Sequence, residues 1–273
     1  MPNVLKTEKK IAIIAALAEG MAIRQVERMT GVFRDTIMNY GVKVGQGCAR
    51  IMDEKMRNLD CRNIQVDEIW GFVQKKKANI KPTDDPYKVG DAWTFCAIDA
   101  DSKLVPSYKV GKRDAITANA FISDLASRLK NRIQLSSDAL PAYIEAVEQG
   151  FGCDVDYGQV VKAYERDESN TPERRYSPNK LVKVHTQVIM GDPLPPFIST
   201  SYVERVNLTT RHHMRRLTRL TIAFSKKMEN FEAAVSLHFA YYNFVKTLRC
   251  TPAMAAGVER SHWTVADIVE MTT

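Results

Sequence analysis

Residues 64–73 read IQVDEIWGFV. The run is rich in β-branched and aromatic residues, so Asn63–Val73 is a strand candidate with one carboxylate, Asp67, in its middle. Working outward, Trp93–Ile98 and Leu104–Val110 are two more strand candidates, joined by the turn-forming Asp99-Ala100-Asp101-Ser102. Asp114 is placed to cap a helix whose apolar stripe is Ala118, Phe121, Leu125 and Leu129. Ile133–Leu135 is a short strand that runs into Ser136-Ser137-Asp138, and Pro141 opens another helix. Strand, strand, strand, helix, strand, helix is a mixed α/β order with an antiparallel start and a parallel return.

Upstream, residues 8–57 read as helical. Ile11, Ile14 and Leu17 recur at helical spacing and Gly20 ends that segment; Ile23–Met29 is a second helix, Gly31 marks a tight turn, and Arg34–Val42 begins a third. Three helices with a glycine between the second and third make a helix-turn-helix pattern, with Arg24, Arg28 and Arg34 near the turn. Lys75–Gly90 and Glu165–Lys180 read as polar loops. Beyond Pro195-Pro196 the pattern predicts a long helix over Thr200–Phe224 and another over Phe231–Leu248, then helix starts at Thr251-Pro252 and Thr264.

A carboxylate inside an apolar strand is costly unless it is paired or metal-bound. Asp67 is one such group. Asp138 lies at the end of the strand in IQLSSDALPAY, and Glu204 lies in the first turn of the predicted long helix, in STSYVERVNLTTRHHMRRLTRLT. Two carboxylates from neighbouring strands and a third from a helix on the same sheet edge are the ligands expected for Mg²⁺, with Mn²⁺ as a substitute. Asp99 is the rival to Asp67, but a hairpin turn accounts for it. Glu68 is expected on the opposite strand face from Asp67, outside the site.

From Ser199 to Lys227 there are seven Lys or Arg residues and one acid. On a continuous helix, Val203, Val206, Thr210, Met214, Leu217, Thr221 and Phe224 fall on one buried stripe, with Glu204, Arg211 and Arg215 together beside it. Arg211, Arg215, Arg216 and Arg219, with Lys75, Lys76 and Lys77, are the expected phosphate contacts. His185, His212 and His213 are read as polar surface or DNA-contact residues, since adjacent histidines point about 100° apart on a helix.

The chain has 273 residues, 45% of them hydrophobic, and a formal net charge of +7. These values exclude wholesale disorder and favour a polyanionic partner. The longest apolar run is far short of the roughly 20 residues of a membrane span, and MPNVLKTEKK lacks a signal-peptide core. The expectation is a cytoplasmic protein. Five scattered cysteines without a CxxC pair argue against a zinc ribbon or a disulfide framework.

The stretches LAEGMAIRQVERMTGVFRDTI, VDEIWGFV, GDAWTFCAIDADSKLVPSYKVGKRDA, LSSDALPAY, ERVNLTTRHHMRRLTRLTIAFSK and TPAMAAG together resemble the insertion-sequence-one-like family of bacterial DDE transposases, in the family's order and over most of the chain. The resemblance implies an α/β ribonuclease-H-like catalytic domain, a mixed sheet with flanking helices, over residues 59–250. It also implies an all-α helix-turn-helix DNA-binding domain over residues 1–58, which leaves a C-terminal helical tail at 251–273. It implies a catalytic and metal-binding triad of Asp67, Asp138 and Glu204, cleavage of insertion-element ends with strand transfer into target DNA, and recognition of terminal inverted repeats in double-stranded DNA. Two ends must be cut and joined together, so a homo-oligomer on DNA is expected. Phe33 stands where the family usually has Ser capping the recognition helix. A non-enzymatic helix-turn-helix regulator and a ribonuclease-H-like nuclease are the alternatives.

Overall fold

The computed structural model describes residues 5–165, 179–218, 220–247 and 249–273. Three helices lead: α1 (Thr7–Ala18), α2 (Ile23–Thr30) and α3 (Arg34–Lys55). Gly20 and Gly31 both take positive φ, +83° and +66°, and end the first two. α3 begins at Arg34 as expected and runs on to Lys55, within the stretch read as helical.

The six strands are β1 (Asn63–Val73), β2 (Gly90–Asp99), β3 (Tyr108–Gly111), β4 (Ile133–Asp138), β5 (Val155–Tyr164) and β6 (Leu181–Met190), in the spatial order β3-β2-β1-β4-β5-β6. β2 runs antiparallel to both its neighbours, β1 and β3; β1, β4 and β5 are parallel, and β6 returns antiparallel to β5. The antiparallel start and parallel return are as read from the sequence. The strand expected over Leu104–Val110 is shorter, because Pro106 has no N–H for the ladder. β5 has no counterpart in the sequence reading.

α4 (Ala115–Arg128) and α5 (Ala142–Phe151) cover one face of the sheet. The Asp114 carboxylate accepts from Thr117 N at 2.9 Å, the predicted cap, and Ala118, Phe121 and Leu125 are fully buried. Phe95 of β2 packs against Phe121 of α4 and meets Tyr143 of α5 edge-on. The other face is covered by α6 (Ser201–His213) and α7 (Met228–Phe244), followed by α8 (Pro252–Ala255) and α9 (Val265–Thr272), whose caps Thr251 and Thr264 are as expected.

The single helix predicted over Thr200–Phe224 is not formed. α6 ends at His213, Met214 is extended, and Arg215–Leu217 forms one 3₁₀ turn. The chain turns back because burial at Leu217 wins over helix continuation: Leu217 is fully buried under β1, where a Cβ on Gly71 would lie 2.8 Å from it. Arg211 Nη1 donates to Leu217 O at 2.9 Å and holds the turn. The next helix starts at Met228 rather than Phe231 and ends at Phe244; Leu248 lies outside the described residues.

α3 packs along α7 and α9. Gly45 makes the closest approach, since a Cβ there would fall 2.1 Å from Ala233 O of α7. Val44, Cys48, Ile51 and Met52 of α3 belong to the same buried cluster as Ile64, Val66 and Phe95 of the sheet. Among the described residues, no helix is long and apolar enough to cross a membrane.

Candidate metal centre

The ladder between β1 and β4 ends at Gln65 opposite Ser136, two residues before β4 ends, while β1 runs on to Val73 paired with β2 alone. A crevice of this kind, where successive connections leave a sheet in opposite directions, is where open α/β sheets place ligands. Asp67 stands two residues past the last β1 pair. Asp138 closes β4 two residues past the same pair, and the period of two puts both side chains on the α6 face.

The α6 terminus is anchored beside them. Gln65 Oε1 accepts from Tyr202 N at 2.8 Å and Val203 N at 3.2 Å, satisfying amides that the first helical turn leaves without partners. One turn on, Asn207 Nδ2 donates to Asp67 Oδ2 at 2.8 Å, while Asp67 Oδ1 accepts from Glu68 N at 2.8 Å.

Oxygens of Asp67, Glu68 and Asp138 all lie within 4.8 Å of one another. Glu68 was expected to point away, and the structure corrects this. Its backbone does face the Phe95 and Tyr143 side, but past Gln65 no neighbouring strand separates the two faces, and the longer glutamate reaches round the open edge. Its carboxylate accepts from Arg113 Nε at 2.6 Å and from the Tyr143 hydroxyl at 3.2 Å. Arg113 also approaches Asp138 Oδ2 at 3.8 Å and lies 5.0 Å over the Trp93 ring.

Glu204 is not part of that group. Its Oε1 accepts from Thr200 Oγ1 at 2.5 Å and pairs with Lys162 Nζ of β5. Its charge is nevertheless felt by the strand carboxylates. Burial, followed by repulsion from Glu68, Asp138 and Glu204, pushes the Asp67 carboxyl up to about 7. Burial also raises Glu68, with Asp138 adding and Arg113 opposing. Burial raises Asp138, against the Leu140 amide, Arg113 and Lys162.

The donor set fits a hard divalent cation. It is all carboxylate oxygen, it is short of positive charge, and Asn207 Oδ1 beside it is buried without a hydrogen-bond partner. Two ligands on one Mg²⁺ lie at most about 4.2 Å apart, twice the usual bond length, so small side-chain rotations bring these oxygens to bonding distance.

The other expected site residues are placed as follows. Asp99 closes its hairpin, with Oδ2 accepting from Ser102 N at 2.8 Å and Ser102 Oγ at 2.6 Å. Arg24, Arg28 and Arg34 are exposed on α2 and at the start of α3. Lys75 pairs with Asp84 at 2.8 Å, Lys76 lies over the Trp70 and Phe72 rings, and the Lys77 amide donates to Asp91. Arg215 is exposed but off the helix that was to align it with Glu204. Arg216 is turned inward and donates to Ser225 Oγ at 2.6 Å. Arg219 lies outside the described residues. His185 and His212 are exposed, whereas His213 packs against His238 and contacts Lys246.

Glu68, Arg113 and Asn207 were missed as site residues. The acid-acid pair Asp67-Glu68 was the one visible signal. No family model matches the chain, and no curated protein matches it either.

Proposed function

We propose that this protein is a metal-dependent DNA transposase with a ribonuclease-H-like catalytic unit, cutting the ends of an insertion element and joining them to target DNA. The observation that carries the reading is the meeting of Asp67 and Asp138 just past the point where parallel β1 and β4 stop pairing, in a sheet ordered β3-β2-β1-β4-β5-β6 with an antiparallel first half.

Asp67 and Asp138 would hold Mg²⁺ or Mn²⁺, with Glu68 beside them and Glu204 from α6. Bound there, the ions supply Lewis acidity and lower the pKa of a water or 3′-hydroxyl. The protein's own groups bind and orient. Asn207 fixes the Asp67 carboxylate. Arg113 and Lys162 bring two positive charges to a crevice that must receive a phosphodiester, and the bidentate fork of Arg113 suits phosphate oxygens. α1 to α3 would form the helix-turn-helix that takes inverted-repeat DNA through Arg24, Arg28 and Arg34. Lys75, Lys76, Lys77, Arg211 and Arg215 add phosphate neutralisation, and two copies act together on paired ends.

The test is metal-dependent nicking of a labelled inverted-repeat duplex, read beside a gel shift on the same DNA. Asp138→Asn should lower cleavage by orders of magnitude and leave DNA affinity equal or higher, because one negative charge near the phosphates is gone. Cleavage at the parent rate overturns the reading. DNA binding with no cleavage by any form of the protein would favour a regulator, and cleavage without joining would favour a nuclease.

A further inference from the structure

Lys162 and Asp138 lie on the same face of the sheet. Asp138 is in register with Val160 on β5, and Lys162 follows two residues later with its side chain on that side. From there its ammonium reaches Glu204 of α6. Thr200 Oγ1 holds the same Glu204 oxygen from the helix side. The Lys162 charge also stabilises the ionised form of Asp138. The cation paired with the helix carboxylate therefore also acts on a strand carboxylate, and Glu204 lies outside the 4.8 Å group. The two side chains are 28% and 44% exposed, so the pair is neither locked in the core nor fully screened.

We propose that Lys162 is a positioning residue that holds Glu204 off the Asp67–Glu68–Asp138 group until a divalent cation takes its place, an inference that rests on the metal-centre reading above. Lys162 and a divalent cation compete for one carboxylate, so entry of the ion carries the cost of breaking the Lys162–Glu204 pair. The released ammonium is left at the mouth of the crevice, where it is placed to meet a phosphate.

The experiment is titration of the full-length protein with Mn²⁺ alone, followed by electron paramagnetic resonance at about pH 8, in the parent, Lys162→Met, Lys162→Arg, Glu204→Gln and the Lys162→Met/Glu204→Gln double variant. A partly exposed pair of this kind is worth about two- to fivefold in an equilibrium constant. Lys162→Met should tighten Mn²⁺ by about that factor, and Lys162→Arg, which keeps the charge, should bind like the parent. Glu204→Gln should weaken Mn²⁺ more in the Lys162→Met background than in the parent, by the same factor. An equal loss in the two backgrounds overturns the inference and leaves the metal centre standing. Mn²⁺ binding that is absent, or indifferent to Asp67→Asn and Asp138→Asn, removes the metal centre itself and the inference with it.

Discussion

Asp67 is the residue at which the proposed function and stability are in conflict. Its carboxyl titrates near 7 in the folded protein because it is desolvated and ringed by other acids. In an unfolded chain it titrates near 3.9. Between those values the folded state binds the proton and the unfolded state does not, so stability is greatest at the acid end and is lost as pH rises through about 7. Asp67→Asn removes the charge and keeps the shape. The metal-free variant should melt roughly 2–5 °C above the parent at about pH 8, with the gain shrinking as pH falls below 7 and vanishing near pH 4. Differential scanning calorimetry across pH checks this, and a gain equal at both pH values would refute the assigned ionisation. A buried carboxylate group that destabilises the fold is the usual mark of a site kept for chemistry.

At the scale of elements, α7 is held by two contacts that need its exact seating. His238 is fully buried, its Nε2 donating to Thr210 Oγ1 of α6 at 3.1 Å while Nδ1 has no partner. Burial lowers its pKa to about 4. The unfolded chain takes up this proton near 6.5 and the folded chain only near 4, so the α6–α7 packing loses stability as pH falls across that window. His238→Leu should flatten this limb of the stability–pH curve, even if the variant is weaker throughout; denaturant melts at pH 7 and about 4.5 give the comparison. The second contact is Gly45 of α3 against the Ala233 carbonyl. Backbone cannot give way as a side-chain tip can, so Gly45→Ala should cost about 2–3 kcal/mol although alanine is the better helix former. Urea melts measure it, and a stabilised variant would contradict the close approach.

At the scale of the molecule, the first helices share their core with the sheet. α3 contributes Val44, Cys48, Ile51 and Met52 to one continuous buried cluster, and α9 packs on α1 and α3. Deleting residues 1–58 would strip that cluster rather than remove a separate module. The proposed DNA binding by α2 and the start of α3 is therefore better tested by the combined Arg24→Ala, Arg28→Ala and Arg34→Ala variant, all three exposed. It should stay folded, and its plot of log affinity against log salt should flatten by about 0.9 for each phosphate no longer neutralised. An unchanged slope would place the DNA elsewhere.

Much was legible in the chain because it depends on local chemistry. Runs rich in β-branched and aromatic or other apolar residues marked β1, β2 and β4, and Asp114, Thr251 and Thr264 announced their helices through the amides they cap. Pro141 and the glycines at 20 and 31 punctuated the rest. The placement of Asp67 and Asp138 on one face needed the register of Gln65 opposite Ser136, which only the assembled sheet supplies. What the sequence could not decide were outcomes of competition between distant groups. The basic stretch after Glu204 has helical periodicity to Phe224, yet the helix stops at His213 because burying Leu217 under β1 is worth more than another turn. Glu68 has the wrong parity for the site, yet it reaches the group because the sheet opens at Gln65. Glu204 has the right position, yet Lys162 holds it aside. Periodicity encodes which face a side chain leaves from; only the assembled sheet, with its open edge and its neighbouring charges, decides where that side chain ends.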